Sequence, residues 1–225
     1  DPLTGKELQQ AIGIIRRERG LDPRALFEQV RLKEPGKATV REFRHGDVIQ
    51  REAFAVVLDR NAQKTFEAVV DLNEGRLKSW QHLAGVQPCI LPTESAEMAR
   101  AVKAHPDFIQ GLRRRDIHDT DRVTVEAFPV ANLAEPEEKH LRHTRAHCFY
   151  AEKPGDNAYA RPIEGLVPVV DLDAMAVLRI EDHGVIPLPP DPGDYRADRL
   201  TPEPPLAELQ ITQPGGAGFT VRGNQ

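Results

Sequence analysis

The sequence predicts an α+β protein of two domains, each a helix packed on a curved antiparallel sheet, followed by a Pro-rich extended connector. In each half, apolar residues recur first at helical spacing and then alternate with a period of two. A four-residue phrase of the first half also recurs in the second, and prolines are dense after residue 186. We therefore place the domains at residues 1–92 and 93–190. Residues 191–225 are assigned to the connector and the first strand of a further domain.

The first predicted helix has sequence signals at both ends. Thr4 is a suitable N-cap residue, Glu7 completes a capping box, and Gly20 ends the helix. Apolar residues at helical spacing predict one buried face, formed by Leu8, Ala11, Ile12 and Ile15.

After this helix the apolar period changes to two, which is typical of strands. The alternation predicts strands at residues 26–32, 37–43, 53–58, 66–72 and 77–83. Segments rich in Gly, Pro, Asn and Asp separate most of these strands and supply turns. The order predicts an antiparallel meander that packs on the helix.

The second half repeats this order. A helix is predicted from about Thr93 with Met98, Ala101 and Val102 facing inward, and Pro106 opens a second helical piece. Alternating segments predict strands at residues 123–128, 145–151, 166–172 and 177–182.

A repeated phrase supports a relationship between the two domains. The residues VVDL at 69–72 recur at 169–172, and each copy leads through a turn into a predicted strand. A Gly-Val pair follows each strand, at 85–86 and 184–185. We interpret the two domains as copies of one ancestral unit.

The composition excludes several classes of function. The net charge is -5 and the basic residues are interspersed with acidic ones, so nucleic acid is not expected as a partner. Two cysteines, Cys89 and Cys148, cannot form a disulfide framework. No apolar stretch approaches the roughly 20 residues of a membrane span. The first residues lack a basic segment followed by an apolar run, which favours a cytoplasmic location, although a leader already removed would leave no trace.

One cluster of residues raises the question of a metal site. His140, His143, His147 and Cys148 would stack the imidazoles on one face of a helix, where they could hold a transition metal. On a strand, His143 and His147 share one face and His140 lies on the other. Residues 145–151 alternate as a strand does, so we favour a strand with one buried thiol and predict no metal ligands in this chain.

Other candidate sites have plainer interpretations. The Gly-rich residues 215–218 lack the helix and lysine of a phosphate loop, and no Gly-x-Ser-x-Gly nucleophile elbow is present. The three arginines at 113–115 fit the negative end of a helix dipole, and Trp80 fits a core position.

Long ordered phrases carry a family resemblance. Residues 3–8 (LTGKEL), 14–21 (IIRRERGL) and 31–35 (RLKEP) resemble the opening of copper amine oxidases. Residues 155–172 (GDNAYARPIEGLVPVVDL) are similar to the second small domain of that family. Residues 210–214 (QITQP) and 219–221 (FTV) are similar to its entry into the catalytic domain.

This resemblance implies two small cystatin-like domains beside a large C-terminal β-sandwich that carries the chemistry. In the family, a tyrosine processed into topaquinone, a copper ion held by three histidines, and an aspartate base convert a primary amine, oxygen and water to aldehyde, ammonia and hydrogen peroxide. The resemblance also implies that the parent enzyme is a homodimer and that the missing catalytic domain is a partner of this chain.

The residues that perform this chemistry are not found here. The cofactor tyrosine of the family lies in an Asn-Tyr-Asp/Glu motif, whereas Tyr150, Tyr159 and Tyr195 follow Phe, Ala and Asp. The copper pair of the family is His-x-His, a spacing that this sequence does not contain. We therefore expect a non-catalytic N-terminal portion of a primary-amine oxidase, with copper and topaquinone in the parent enzyme. The alternative is a free-standing cystatin-like binding module without an oxidase.

The resemblance implies one contribution to substrate selection. In relatives, residues of the second domain reach the mouth of the substrate channel, and the matching phrases place Phe128 and Tyr159 there. An aromatic gate would suit an aromatic amine such as tyramine or phenylethylamine. In the alternative interpretation, Phe128 is a core residue and Tyr159 packs in a loop.

We expect the purified 225-residue chain to produce no hydrogen peroxide from primary amines, because it lacks the motifs for the quinone and the copper site. A peroxidase-coupled assay with added copper checks this. An amine-dependent peroxide signal would contradict it.

Overall fold

The computed structural model describes residues 1–130, 136–138, 141–191, 201, 203–210 and 212–218. Residues Asp1–Gly193 form one compact unit, separate from Asp194–Gln225. The described part of the second unit has no helix or strand and is exposed. Much of the connector predicted at 191–225, including the strand expected at 219–221, lies outside the described residues.

The first half of the compact unit is a helix on a four-stranded antiparallel sheet. It contains α1 (Gly5–Arg19), β1 (Leu26–Lys33), α2 (Lys37–Glu42), β2 (Glu52–Asp59), β3 (Lys64–Asp71) and β4 (Arg76–Leu83). The strands are adjacent in chain order, as the meander prediction requires. Small side chains on the inner face of the sheet, Ala53, Ala55 and Ala68, are almost completely buried together with Ala11 and Ile15 of α1.

The predicted ends of α1 are confirmed. The Thr4 hydroxyl accepts a hydrogen bond from the Glu7 amide at 3.3 Å, and the Glu7 carboxylate accepts one from the Thr4 amide at 2.8 Å. Gly20 takes the left-handed conformation, with φ 59°, that ends many helices. The buried face differs in detail from the prediction, because Ile14 is buried and Ile12 is only half-buried.

The strand predicted at residues 37–43 is wrong. This segment forms the short helix α2, which has no buried residue and leaves Val40 and Phe43 exposed. Because β1 pairs directly with β2, the segment between them is not inserted into the ladder. A helix satisfies its backbone locally, as in the bond from the Val40 amide to the Gly36 carbonyl, whereas a strand needs a neighbour.

In the part of the second half that the structure describes, there are two α-helices and five strands. They are α3 (Pro92–Ala104), α4 (Pro106–Arg113), β5 (Val123–Glu126), β6 (His143–Arg145), β7 (His147–Tyr150), β8 (Leu166–Asp171) and β9 (Ala176–Asp182). The helices bury Met98, Val102, Phe108 and Leu112 in a core shared with the strands. The fold is thus a mixture of helices and antiparallel sheets in both halves.

The strand predicted at residues 145–151 is divided at Ala146. Before Ala146, β6 pairs with β8; after it, β7 pairs with β5. On the other side of β7 lies the segment 161–163, just as β8 lies beside β6. The Tyr150 amide donates to the Arg161 carbonyl, and the Ile163 amide donates to the Cys148 carbonyl. Pro162 within that segment has no N–H to continue a regular ladder.

The repeated phrase has the same geometry in both copies. A bulge falls between Val69 and Val70 in the first copy and between the matching valines in the second. The carboxylates of Asp71 and Asp171 each accept two backbone hydrogen bonds from the turn that follows. Residue 75 or 175 of that turn then has positive φ, at 66° for Gly75 and 51° for Met175.

An arginine–glutamate ion pair is also repeated. The Leu72 amide donates to the Arg51 carbonyl and the Leu172 amide to the Arg142 carbonyl. Each arginine then binds the glutamate in the first turn of the helix of its own half, with Arg51 on Glu7 at 2.6 Å and Arg142 on Glu94 at 2.5 Å. The second pair is almost fully buried, with 3% and 2% of the side chains exposed, against 32% and 20% in the first.

The two cysteines are free thiols in different surroundings. Cys89 is exposed, whereas Cys148 lies in the second core. Burial raises the pKa of the Cys148 thiol to about 12. The buried thiol expected on this strand is therefore confirmed. Among the described helices, none is long and apolar enough to cross a membrane.

Substitution of Glu94 by Gln is expected to lower the free energy of unfolding by about 3–5 kcal/mol, because Arg142 would keep a buried charge without an anionic partner. Urea denaturation followed by far-ultraviolet circular dichroism measures this. Glu7→Gln is the matched control at the more exposed pair and should cost less. Equal losses in the two variants would show that burial of the second pair has no energetic consequence.

Candidate functional site

The outer face of the β5–β7 ribbon carries the sequence-predicted site residues. In the ladder, Val125 lies opposite Cys148 and both are buried in the core. Because side chains alternate along a strand, Glu126 and the opposite residue His147 project to the other face. Phe149 projects to the same face as His147.

Phe128 lies just after β5 and is held firmly there. Its ring stacks on the His147 ring with centroids 4.5 Å apart. The hydroxyl of Thr144, a fully buried residue, accepts a hydrogen bond from the Phe128 amide at 2.9 Å and donates one to the Phe128 carbonyl at 2.7 Å. The Phe128 residue is 44% exposed, so the interpretation of Phe128 as a core residue is not supported.

Tyr159 lies in a single 3-10 turn, Ala158–Ala160, that packs against β7. The Asn157 side chain accepts a hydrogen bond from the Tyr159 amide at 3.2 Å and so fixes the turn. The Tyr159 ring contacts Phe149 with centroids 5.0 Å apart, and its hydroxyl donates to Glu126 Oε1 at 2.9 Å. This hydrogen bond raises the pKa of the Tyr159 phenol, because ionisation would place two anions together.

The structure therefore brings Phe128 and Tyr159 to one surface, because Tyr159 binds Glu126, Phe128 stacks on His147, and these two partners lie opposite each other in the ladder. We call this surface the aromatic patch; it consists of Glu126, Phe128, His147, Phe149 and Tyr159. The sequence interpretation missed the contribution of Glu126 and Phe149, and it considered His147 only as a metal ligand. The period of two along a strand places His147 and Phe149 on one face, but it does not show that Glu126 and Phe149 lie beside Tyr159.

The chemistry available to the patch is recognition. It offers one carboxylate and exposed aromatic rings, and the phenol of Tyr159 donates a hydrogen bond to the carboxylate. In the described residues, no group of three or more His, Cys, Asp or Glu side chains is arranged to hold a metal ion. His143 lies 3.6 Å from Glu138, His147 stacks on Phe128, and His140 is outside the described residues.

Two other sequence candidates have structural roles. Arg115 is buried and binds Asp182 at 2.8 Å and the Gly184 carbonyl at 2.5 Å, which ties the end of α4 to the end of β9. Trp80 is half-buried against the first core and stacks on Phe66 with centroids 4.3 Å apart. The core position predicted for Trp80 is confirmed in part, because one side of the residue remains accessible.

Comparison with protein families gives two matches along the chain. Residues 1–83 match the model described as "Copper amine oxidase, N2 domain", and residues 93–198 match "Copper amine oxidase, N3 domain". The two models belong to one family and together account for most of the chain.

Curated relatives and solved structures agree with these matches. A sequence of Arthrobacter sp. (strain P1), named primary amine oxidase and also copper methylamine oxidase, is 37% identical over all of this chain and 34% of its own length. A primary amine oxidase of Klebsiella aerogenes is 29% identical over 99% of the chain and 30% of its own length. A copper-containing benzylamine oxidase from Hansenula polymorpha has the same fold with a TM-score of 0.69, at 20% identity, over 99% of this chain and 37% of that one. The chain thus spans about a third of the length of the relatives it matches.

Thr144→Val is expected to lower the free energy of unfolding by about 1–3 kcal/mol and to increase hydrogen exchange at the Phe128 amide, because the substitution leaves both backbone groups of Phe128 without their partner. Amide exchange followed by NMR measures the local effect. Thr144→Ser keeps the hydroxyl and should retain protection. Unchanged protection in Thr144→Val would show that the hydroxyl does not hold Phe128.

Proposed function

The chain belongs to the copper amine oxidase family, and from this premise we propose that it serves as the non-catalytic N-terminal portion of a primary-amine oxidase. The observation that carries the proposal is the pair of consecutive N2 and N3 matches in a chain that spans a third of its relatives. The parent reaction would convert a primary amine, oxygen and water to an aldehyde, ammonia and hydrogen peroxide.

The residues of this chain do not fit the copper and quinone of the family. The sequence has no Asn-Tyr-Asp/Glu motif and no His-x-His pair, and the described residues form no metal-binding cluster. We therefore assign copper and topaquinone to the remainder of the parent enzyme. The contacts of a parent homodimer are assigned to the same remainder.

For the second half we propose a role at the mouth of the substrate channel, with Phe128 and Tyr159 as gate residues. Both side chains are substantially exposed, and both are fixed from behind, by Thr144 for Phe128 and by Asn157 and Glu126 for Tyr159. Rigid, exposed aromatic rings favour ligands with flat apolar groups. The proposed substrate is accordingly an aromatic amine such as tyramine or phenylethylamine.

We also propose that residues 1–92 and 93–190 are two copies of one cystatin-like unit. In support, the two halves share the bulged strand, the aspartate-bonded turn and the arginine–glutamate pair at the start of the helix. A single shared turn could arise independently. Three linked features in the same order favour duplication.

In the full-length enzyme, Tyr159→Ala is expected to lower kcat/KM for phenylethylamine by about tenfold and to change kcat/KM for methylamine by less than about twofold, because only the larger amine would contact the lost ring. Steady-state kinetics with both amines measures the ratio. Phe43→Ala is the control, since Phe43 is also an exposed aromatic residue but lies in the first half, away from the aromatic patch. An unchanged ratio in Tyr159→Ala would refute the gate.

A further inference from the structure

Glu126 occupies the centre of the aromatic patch. The Tyr159 hydroxyl binds its Oε1 at 2.9 Å, and its partner across the ladder, His147, carries the Phe128 ring. Phe149 supports the Tyr159 ring from the neighbouring strand position. The carboxylate thus binds one aromatic side chain directly, lies across the ladder from a histidine that stacks on another, and is only partly buried.

The surroundings of Glu126 differ from those of Glu138, Glu181 and Asp182, which also belong to the second half. Glu138 and Glu181 bind Arg179, and Asp182 binds Arg115. By contrast, Glu126 has no basic partner among the residues that the structure describes, and it accepts a hydrogen bond from a neutral phenol. The patch therefore presents a carboxylate beside exposed aromatic side chains.

This combination selects a specific kind of ligand. An ammonium group can donate hydrogen bonds to a carboxylate and is attracted to the electron-rich face of an aromatic ring. A hydrocarbon tail on the same ligand can cover the neighbouring rings and remove apolar surface from water. An anion would be repelled, and a neutral alcohol would lose the charge interaction.

We propose that the aromatic patch is a binding site for a primary ammonium cation with an aromatic tail, in which Glu126 receives the ammonium group and the rings of Phe128 and Tyr159 receive the tail. The identification of this cation with an amine that enters the oxidase rests on the proposed function. The binding step itself does not depend on catalysis. Glu126 would then favour the protonated amine before it reaches the reacting atoms.

The first test is a binding titration. The isotope-labelled 225-residue chain is titrated with phenylethylammonium and with the neutral analogue 2-phenylethanol, and NMR shift changes at residues of the patch give the dissociation constants. We expect the cation to bind in the millimolar range and at least about threefold more tightly than the alcohol. Equal affinity for the two ligands would overturn the proposal.

Variants separate the charge from the ring. Glu126→Gln should weaken phenylethylammonium binding by about threefold or more, because it removes the charge and leaves the aromatic rings in place. Glu97→Gln removes the same charge from an exposed position on α3 and should have no effect. An unchanged affinity in Glu126→Gln, with its fold confirmed by circular dichroism, would overturn the assignment.

A lysine side chain of another protein carries the same ammonium chemistry. The experiment therefore includes a titration with Nα-acetyl-lysine amide, which keeps its side-chain ammonium group. We expect it to bind more weakly than phenylethylammonium because it has no aromatic tail. Binding as tight as that of phenylethylammonium would overturn the choice of an aromatic amine.

Kinetics of the full-length enzyme separates this inference from the proposed gate. If Tyr159→Ala changes amine preference but Glu126→Gln leaves ammonium binding unaltered, the cation site fails and the gate stands. If Glu126→Gln weakens binding while neither variant changes kcat/KM, the cation site stands and the gate fails.

Discussion

The ion pair between Glu94 and Arg142 joins the start of α3 to the start of β6 inside the second half, with almost no exposure of either side chain. Removal of two charges from water is unfavourable, so each partner depends on the other. The same carboxylate also accepts the Leu91 amide at 2.9 Å, which fixes the first turn of the helix. The Arg142 carbonyl receives the Leu172 amide. One pair of residues thus positions a helix, a strand and a turn.

The aromatic patch depends on this anchored strand. Two residues after Arg142, the buried Thr144 holds the backbone of Phe128, and the chain continues through Ala146 into β7, which carries His147 and Phe149. A shift of the strand by one residue would turn these side chains toward the core. The buried pair, together with Val125 and Cys148 in the core, therefore fixes the register on which the exposed site is built.

The first half has the same arrangement of helix, strand and arginine–glutamate pair, but the aromatic patch is not part of it. Its arginine–glutamate pair is more exposed, and its second strand runs unbroken from Glu52 to Asp59. In the second half the corresponding run is interrupted at Ala146 and changes partners, which brings β5 and the turn containing Tyr159 to the same strand. Among the described residues, the aromatic patch belongs to the second half, which fits our proposal that a recognition surface was added there to a shared scaffold.

The sequence by itself determined the ends of α1, most strands of both halves, the repeated phrase, the family resemblance and the lack of the quinone and copper motifs, because caps, periodicity and motifs are local properties of the chain. It failed at residues 37–43 and at Ala146, where the outcome depends on which strand lies alongside. Only the tertiary structure decided the aromatic patch. Glu126 meets Tyr159 through the pairing of β5 with β7 and the packing of a distant turn, and contacts between residues far apart in sequence are set by ladder register and core packing.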